Sequence, residues 1–210
     1  PATSAYINTP GSVWGNTLGT VYFTDMNNYR IRAISAAGII TTLGGTGKNG
    51  PFTADGTAFT SMSLSNIQAL SGDSYGNIYF FDGNRLRRYV ISSSTVQTLA
   101  GTGDVGYNGN NVSASSVNLY YPNAMWVNTK GDVYITEPSQ RVRLYKKATE
   151  RVWDFAGNGL YQYSEDNVPA TQTSLNPSGV WGDTEGNVFI SDHANYRIRR
   201  VLLNGIITTF

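Results

Sequence analysis

The stretch from Gly186 to Phe210, GNVFISDHANYRIRRVLLNGIITTF, decides the fold, because the chain contains it four times in recognisable form. The earlier versions open as TVYFTDMNNYRIR at Thr20, NIYFFDGNRLRR at Asn77 and DVYITEPSQRVRLY at Asp132. The turn glycines that precede them, Gly19, Gly76, Gly131 and Gly186, lie 57, 55 and 55 residues apart. A unit of that length cannot bury an apolar face alone, so neighbouring repeats must pack on one another.

Working outward from this stretch, each unit reads as four short antiparallel strands. The first is brief and apolar, as in Val13-Trp14, Met125-Trp126-Val127 and Val180-Trp181, and runs into a polar turn such as Asp183-Thr184-Glu185-Gly186. The second is a β-branched and aromatic run, for example Val188-Phe189-Ile190-Ser191, suited to the buried centre of a sheet. The third alternates arginine with an apolar residue: Arg30-Ile31-Arg32, Arg85-Leu86-Arg87, Arg141-Val142-Arg143 and Arg197-Ile198-Arg199. That alternation predicts one face in the core and the arginines in water. The fourth covers 39–43, 96–99, 152–155 and 206–210, which places the four units at approximately 10–43, 66–99, 122–155 and 177–210 of a single array over 1–210. Long Gly-, Ser- and Asn-rich connections separate them. Within these, Ala58 with Leu64, Ala114 with Leu119 and Ala170 with Leu175 read as anchors that tuck the connection against a sheet.

Composition narrows the function. Fifteen Lys and Arg nearly balance fourteen Asp and Glu, and the resulting net charge of +1 supplies no general pull toward phosphate backbones or anionic membranes. No apolar run approaches the roughly 20 residues that span a bilayer. With no cysteine, disulfides and thiolate metal sites are excluded together.

The string Gly157-x-Gly159, Pro169-Ala170-Thr171, Leu175-Asn176-Pro177, Gly179-Val180, Gly186 to Ile190, Asp192, Asn195 to Arg199 and Ile206 to Thr209 resembles the NHL repeat of β-propellers in its long-loop form. The resemblance covers nearly the whole chain and recurs in phase. It departs in unit two, which has Ile67 where proline is expected and Ser71 where Trp14, Trp126 and Trp181 stand. The resemblance implies an all-β propeller of four-stranded blades packed radially, usually six of them. Four are visible here. Because Pro1-Ala2-Thr3 starts in the phase of Pro169-Ala170-Thr171, a piece of a longer array is expected, with a closed four-bladed ring as the alternative.

Two constellations carry chemistry. The acids that end the second strands, Asp25, Asp82, Glu137 and Asp192, share one repeat phase with Arg32, Arg87, Arg143 and Arg199. Either each acid is clamped by a turn or an arginine within its blade, or four carboxylates ring a channel and hold a metal. A feature present in every blade reads as architecture, so these residues are expected to be structural, with no catalytic, cofactor or metal site. His193 is the only histidine. The resemblance reaches lyases whose propellers hold zinc through several histidines, a ligand set that one His cannot supply.

Tyr29, Tyr89, Tyr145 and Tyr196 beside the arginine pairs suggest a stacking surface for single-stranded RNA, as in some animal members of the family, but the near-neutral charge argues against a nucleic-acid partner. Tyr107, Tyr120, Tyr121, Tyr161 and Tyr163 fit a glycan surface or inter-blade plugs, and the acids around Asp55 and Glu165-Asp166 match no dedicated calcium loop. One acceptor sequon stands at Asn111-Val112-Ser113. The expectation is therefore a non-enzymatic, extracellular or cell-surface scaffold that meets protein, glycan, or further copies or blades of its own kind. The alternative is a ligand-binding or enzymatic propeller whose decisive residues lie in other blades.

Overall fold

The computed structural model describes all residues 1–210, and its regular structure is strand apart from five single-turn 3-10 segments. Four antiparallel sheets follow one another, each a β-propeller blade with its strands paired in chain order. Sheet one comprises Pro10–Gly15, Val21–Asp25, Arg30–Ile34 and Ile40–Gly44. Sheet two comprises Leu70–Gly72, Ile78–Asp82, Arg85–Val90 and Thr95–Ala100. Sheet three comprises Ala124–Val127, Val133–Glu137, Arg141–Lys146 and Arg151–Ala156, and sheet four Pro177–Gly182, Val188–Asp192, Arg197–Val201 and Ile206–Thr209. The chain divides into two compact units, Pro1–Leu99 and Ala100–Phe210, with two sheets in each.

Within the first unit, the core lies between sheets one and two, where Tyr22, Ile31 and Ala33 meet Leu70, Ile78, Phe80 and Tyr89. Within the second, Val142 and Ala156 of sheet three meet Val188, Ile190, Val201 and Ile207 of sheet four. The repeat operation fixes the register. Trp14, Ser71, Trp126 and Trp181 lie opposite Tyr22, Tyr79, Tyr134 and Phe189 in their respective sheets.

The connections return to the outer edge of the sheet that follows them. Val112–Ser113 pairs with Arg151 and Val152, and Val168–Pro169 pairs with Ile206 and Ile207, each adding a fifth strand. In sheet two a single bridge from Ala58 to Thr95 takes this place. The anchor pattern is corrected at one point. Ala114, Leu119, Ala170, Leu175 and Leu64 are buried, but Ala58 is exposed, and the neighbouring Phe59 fills the anchor position. Phe59 stacks on Phe80 and Tyr89 at 5.0 and 4.9 Å. The larger anchor is accommodated because Gly44 lies beneath it; the Gly45, Gly101 and Gly157 amides donate to the carbonyls of Phe59, Ala114 and Ala170 in turn, and the residues before those glycines are Gly44, Ala100 and Ala156.

Candidate functional site

Each second-strand acid is held from two sides. Asp25 accepts from the Asn8 amide at 2.8 Å, Asp82 from Ser65 at 2.9 Å, Glu137 from Tyr120 at 3.2 Å and Asp192 from Asn176 at 2.8 Å. Every one of these amides lies just ahead of the first strand of the same sheet. The opposite carboxylate oxygen faces the third-strand arginine: Asp25 to Arg32 at 3.4 Å, Asp82 to Arg87 at 3.1 Å, Glu137 to Arg143 at 3.7 Å and Asp192 to Arg199 at 3.6 Å. Each carboxylate thus ties the lead-in of its sheet to the third strand.

The arginines correct the expected alternation. Arg87, Arg143 and Arg199 are fully buried, whereas Ile198, read as a core residue, is exposed. A guanidinium tolerates burial only when its charge is matched and its donors are used. A second acid supplies that match. Arg87 meets Asp55 at 2.8 Å and donates to the Thr53 carbonyl at 2.9 Å. Arg199 meets Asp166 at 3.0 Å. Arg143 instead meets Asp154 of its own sheet at 2.9 Å and donates to the Gly109 carbonyl.

An aromatic from the preceding connection closes each cage. Phe52 covers Arg85 and Arg87 at 4.2 and 4.8 Å, Tyr107 covers Arg141 and Arg143 at 4.0 and 4.9 Å, and Tyr163 covers Arg197 and Arg199 at 4.0 and 5.8 Å. Tyr107 and Tyr163, read as glycan contacts or plugs, thus lie over cations. Sequence reasoning missed Phe52 and the cage as a unit. The signal was present as an aromatic followed three positions later by Asp55, Asn110 or Asp166, and four positions later by Gly56, Asn111 or Asn167. That last position is left-handed in all three, with φ of 81°, 56° and 64°, which explains its restriction to Gly and Asn.

Burial pushes the Glu137 carboxyl above the ordinary range, and Arg143 only partly pulls it back. Burial also works to raise Asp166, but the amide and hydroxyl of Thr209 and the Arg199 guanidinium outweigh it and hold that carboxyl below the usual value. No cluster of three or more His, Cys, Asp or Glu side chains is placed to hold a metal ion. His193 is an exposed turn residue whose amide donates to the Asn176 carbonyl at 2.9 Å. Among the tyrosines read as a stacking surface, Tyr89 and Tyr145 are in the core and Tyr196 is exposed, so they form no common face. Tyr120 and Tyr121 pack edge to face at 5.2 Å and are both exposed. Asn111 is half-buried, with its side-chain and main-chain oxygens both accepting from Arg151.

Two apolar faces stand open. On sheet one, Ile7, Pro10, Val13, Val21, Phe23 and Ile34 line a groove of about 360 Å³, with Val13 68% exposed. On sheet four, Trp181 is 58% and Phe210 73% exposed, and both rings pack on Phe189, at 6.0 and 5.0 Å.

These sheets are β-propeller blades, and the chain is similar to solved structures of β-propeller proteins. A Bacteroides thetaiotaomicron protein of unknown function matches with a TM-score of 0.70 at 17% identity, over 97% of this chain and 48% of its own. An auxiliary nutrient binding protein from Bacteroides ovatus matches with a TM-score of 0.69 at 16% identity, over 98% and 49%. Virginiamycin B lyase from Staphylococcus aureus matches with a TM-score of 0.58 at 17% identity, over 96% and 55%. The chain thus spans about half the length of the structures it matches. No protein-family model matches it, and neither does any curated protein sequence.

Proposed function

We propose that this chain is a non-enzymatic β-propeller scaffold of the NHL-repeat type, working outside the cell or at its surface and presenting its loops and open sheet faces to protein or glycan. One observation carries the reading: the charged side chains that most resemble a site recur in equivalent sheets and are engaged with one another. Asp82 with Arg87 and Asp192 with Arg199 repeat one arrangement, and Asp55 and Asp166 complete it. In this reading Asp25, Asp82, Glu137, Asp192 and their arginines are architecture. The surface location is supported by the sequon at Asn111 and by the resemblance to nutrient-binding proteins of Bacteroides. No helix is long and apolar enough to cross a membrane.

A second reading is a ligand-binding or enzymatic propeller whose decisive residues lie in blades beyond these 210. The likeness to a lyase about twice as long favours it. Turnover of virginiamycin B by a polypeptide that carries those further blades, as wild type and with His193→Ala or Asp192→Asn, separates the two. The scaffold reading expects no turnover by any of them and a loss of stability confined to Asp192→Asn. Turnover that vanishes in His193→Ala would overturn it.

A further inference from the structure

The amides that hold the second-strand acids of sheets one, two and three belong to Asn8, Ser65 and Tyr120, each 17 positions ahead of its acid. The residue after each of them is left-handed: Thr9, Asn66 and Tyr121 have φ of 54°, 46° and 45°. Asparagine accommodates that conformation readily and tyrosine does not. Tyr121 also precedes Pro122, which favours extended backbone still further. Packing returns little for this strain. Tyr121 is 48% exposed and meets the Tyr120 ring edge to face, and neither hydroxyl bonds to a protein group.

The cages absorb Tyr107, which covers Arg141 and bonds Asp154 at 2.7 Å, and Tyr163, which covers Arg197. They leave Tyr161, 65% exposed and without a polar partner. The base under Tyr120 is fixed. Glu137 takes the Tyr120 amide on one oxygen and the Ser139 hydroxyl, at 3.0 Å, on the other. Arg141 donates to the Ser139 and Asn158 carbonyls, each at 3.1 Å, which draws the segment leading to Tyr161 to the same end of sheet three. The charges there are paired with one another: Glu137 and Asp154 with Arg143, and Asp154 with Arg141. A ligand arriving at this end meets ring faces and phenolic hydroxyls on an ordered base whose own charges are matched.

We propose that Tyr120 and Tyr121, with Tyr161 at the same sheet end, form a platform for a neutral polysaccharide chain. This rests on the scaffold reading and narrows its partner from protein or glycan to glycan. The π face of a tyrosine carries partial negative charge and attracts the C–H face of a pyranose. Its phenolic hydroxyl both donates to and accepts from sugar hydroxyls. A protein partner would call for a larger apolar core than a few separate rings supply. Backbone strain held at an exposed side chain, with no internal packing to account for it, points to a contact outside the fold.

The test uses residues that sheet two already has at these places: Tyr120→Ser copies Ser65, and Tyr121→Asn copies Asn66. Native affinity electrophoresis of the 210-residue chain through gels holding xyloglucan, galactomannan, mixed-linkage β-glucan or glycogen, with polygalacturonate as the acidic comparison, is expected to show retardation by at least one neutral polymer. Each substitution should weaken the apparent Kd about tenfold, the worth of one aromatic stacking contact. Tyr75→Asn, at an exposed tyrosine in a turn of sheet two, should leave it unchanged. Tyr121→Asn should melt no lower than wild type, because asparagine relieves the left-handed strain, so that lost binding is not lost fold. A wild type that no neutral polymer slows overturns the proposal, as does retardation by polygalacturonate alone or retardation that survives both substitutions. A Tyr121→Asn chain that melts well below wild type overturns it too, by showing the ring to be a packing element. None of these outcomes touches the scaffold reading, which falls only to turnover.

Discussion

The Asp55 carboxylate lies 2.8 Å from the Arg87 guanidinium and also accepts from the Thr98 amide and hydroxyl, each at 2.8 Å. One side chain in a connection thus neutralises a fully buried cation and fastens the outer strand of the sheet that follows. Breaking a buried ion pair from one side leaves uncompensated charge, at about 3–5 kcal/mol. Arg87→Met removes the cation from between Asp55 and Asp82 and should fall in that range by urea unfolding. Arg88→Met, at a partly exposed neighbour bonded to Gln97, should cost under about 1 kcal/mol.

Sheet three solves the same problem by exchanging two residues. Where the other cages have an acid in the connection and threonine on the outer strand, Asp55 with Thr98 and Asp166 with Thr209, it has Asn110 with Asp154. Asp154→Thr should therefore destabilise by about 2–4 kcal/mol, because the one carboxylate left to Arg143 is Glu137 at 3.7 Å. Adding Asn110→Asp should restore part of it. A double-mutant cycle should give a coupling of about 1–3 kcal/mol, and a coupling near zero would show the cage to be incidental.

Glu137 sets a pH dependence of definite sign. Its folded carboxyl is raised above the ordinary 4.5 by burial, so the native state holds that proton more tightly than the unfolded chain does. The contribution is favourable below the ordinary value and is lost as pH rises through the raised one. Glu137→Gln should therefore gain stability relative to wild type between about pH 4 and about pH 7. A difference that shrinks with rising pH in paired denaturation curves would contradict this assignment.

Tryptophan truncation should follow seating, not residue type. Trp126→Ala empties the site over Gly182 and should cost about 3–5 kcal/mol. For the isolated chain, Trp181→Ala should cost under about 1 kcal/mol, because that ring is already largely in water. Thermal melts of dilute protein compare the two.

If the chain is secreted by a eukaryotic cell, Asn111 should carry an N-linked glycan, readable by glycopeptide mass spectrometry and abolished by Ser113→Ala. Its side-chain oxygen is engaged by Arg151, so the glycan would project from a fixed base. An unmodified Asn111 in secreted material would remove one support for the surface location.

The sheets were legible in the sequence because their signals are local. Val188-Phe189-Ile190-Ser191 and its counterparts declare strands through β-branching, and the turn glycines set the period. The cage was not legible, because its parts converge from segments about 34 residues apart, as Arg143 and Gly109 do. The alternation Arg-x-Arg places one apolar residue between two charges and says nothing about a cation that acquires acids and an aromatic from elsewhere. For the same reason Tyr107 and Tyr163 read as glycan contacts or inter-blade plugs and not as covers over cations, and Ala58 looked like the anchor that Phe59 in fact provides.

The strand that each connection adds to the far edge of the following sheet has a bearing on synthesis. Val112–Ser113 leaves the ribosome some 40 residues before Arg151–Ala156, the strand it must pair with. Until then the nascent segment has no mate, and a sticky apolar segment left waiting would recruit neighbouring chains. Its run of Gly, Asn and Ser suits that interval, being poorly suited to cross-chain stacking. The edge that would otherwise stay open on the finished sheet is thereby closed by the segment least able to have misassembled on the way.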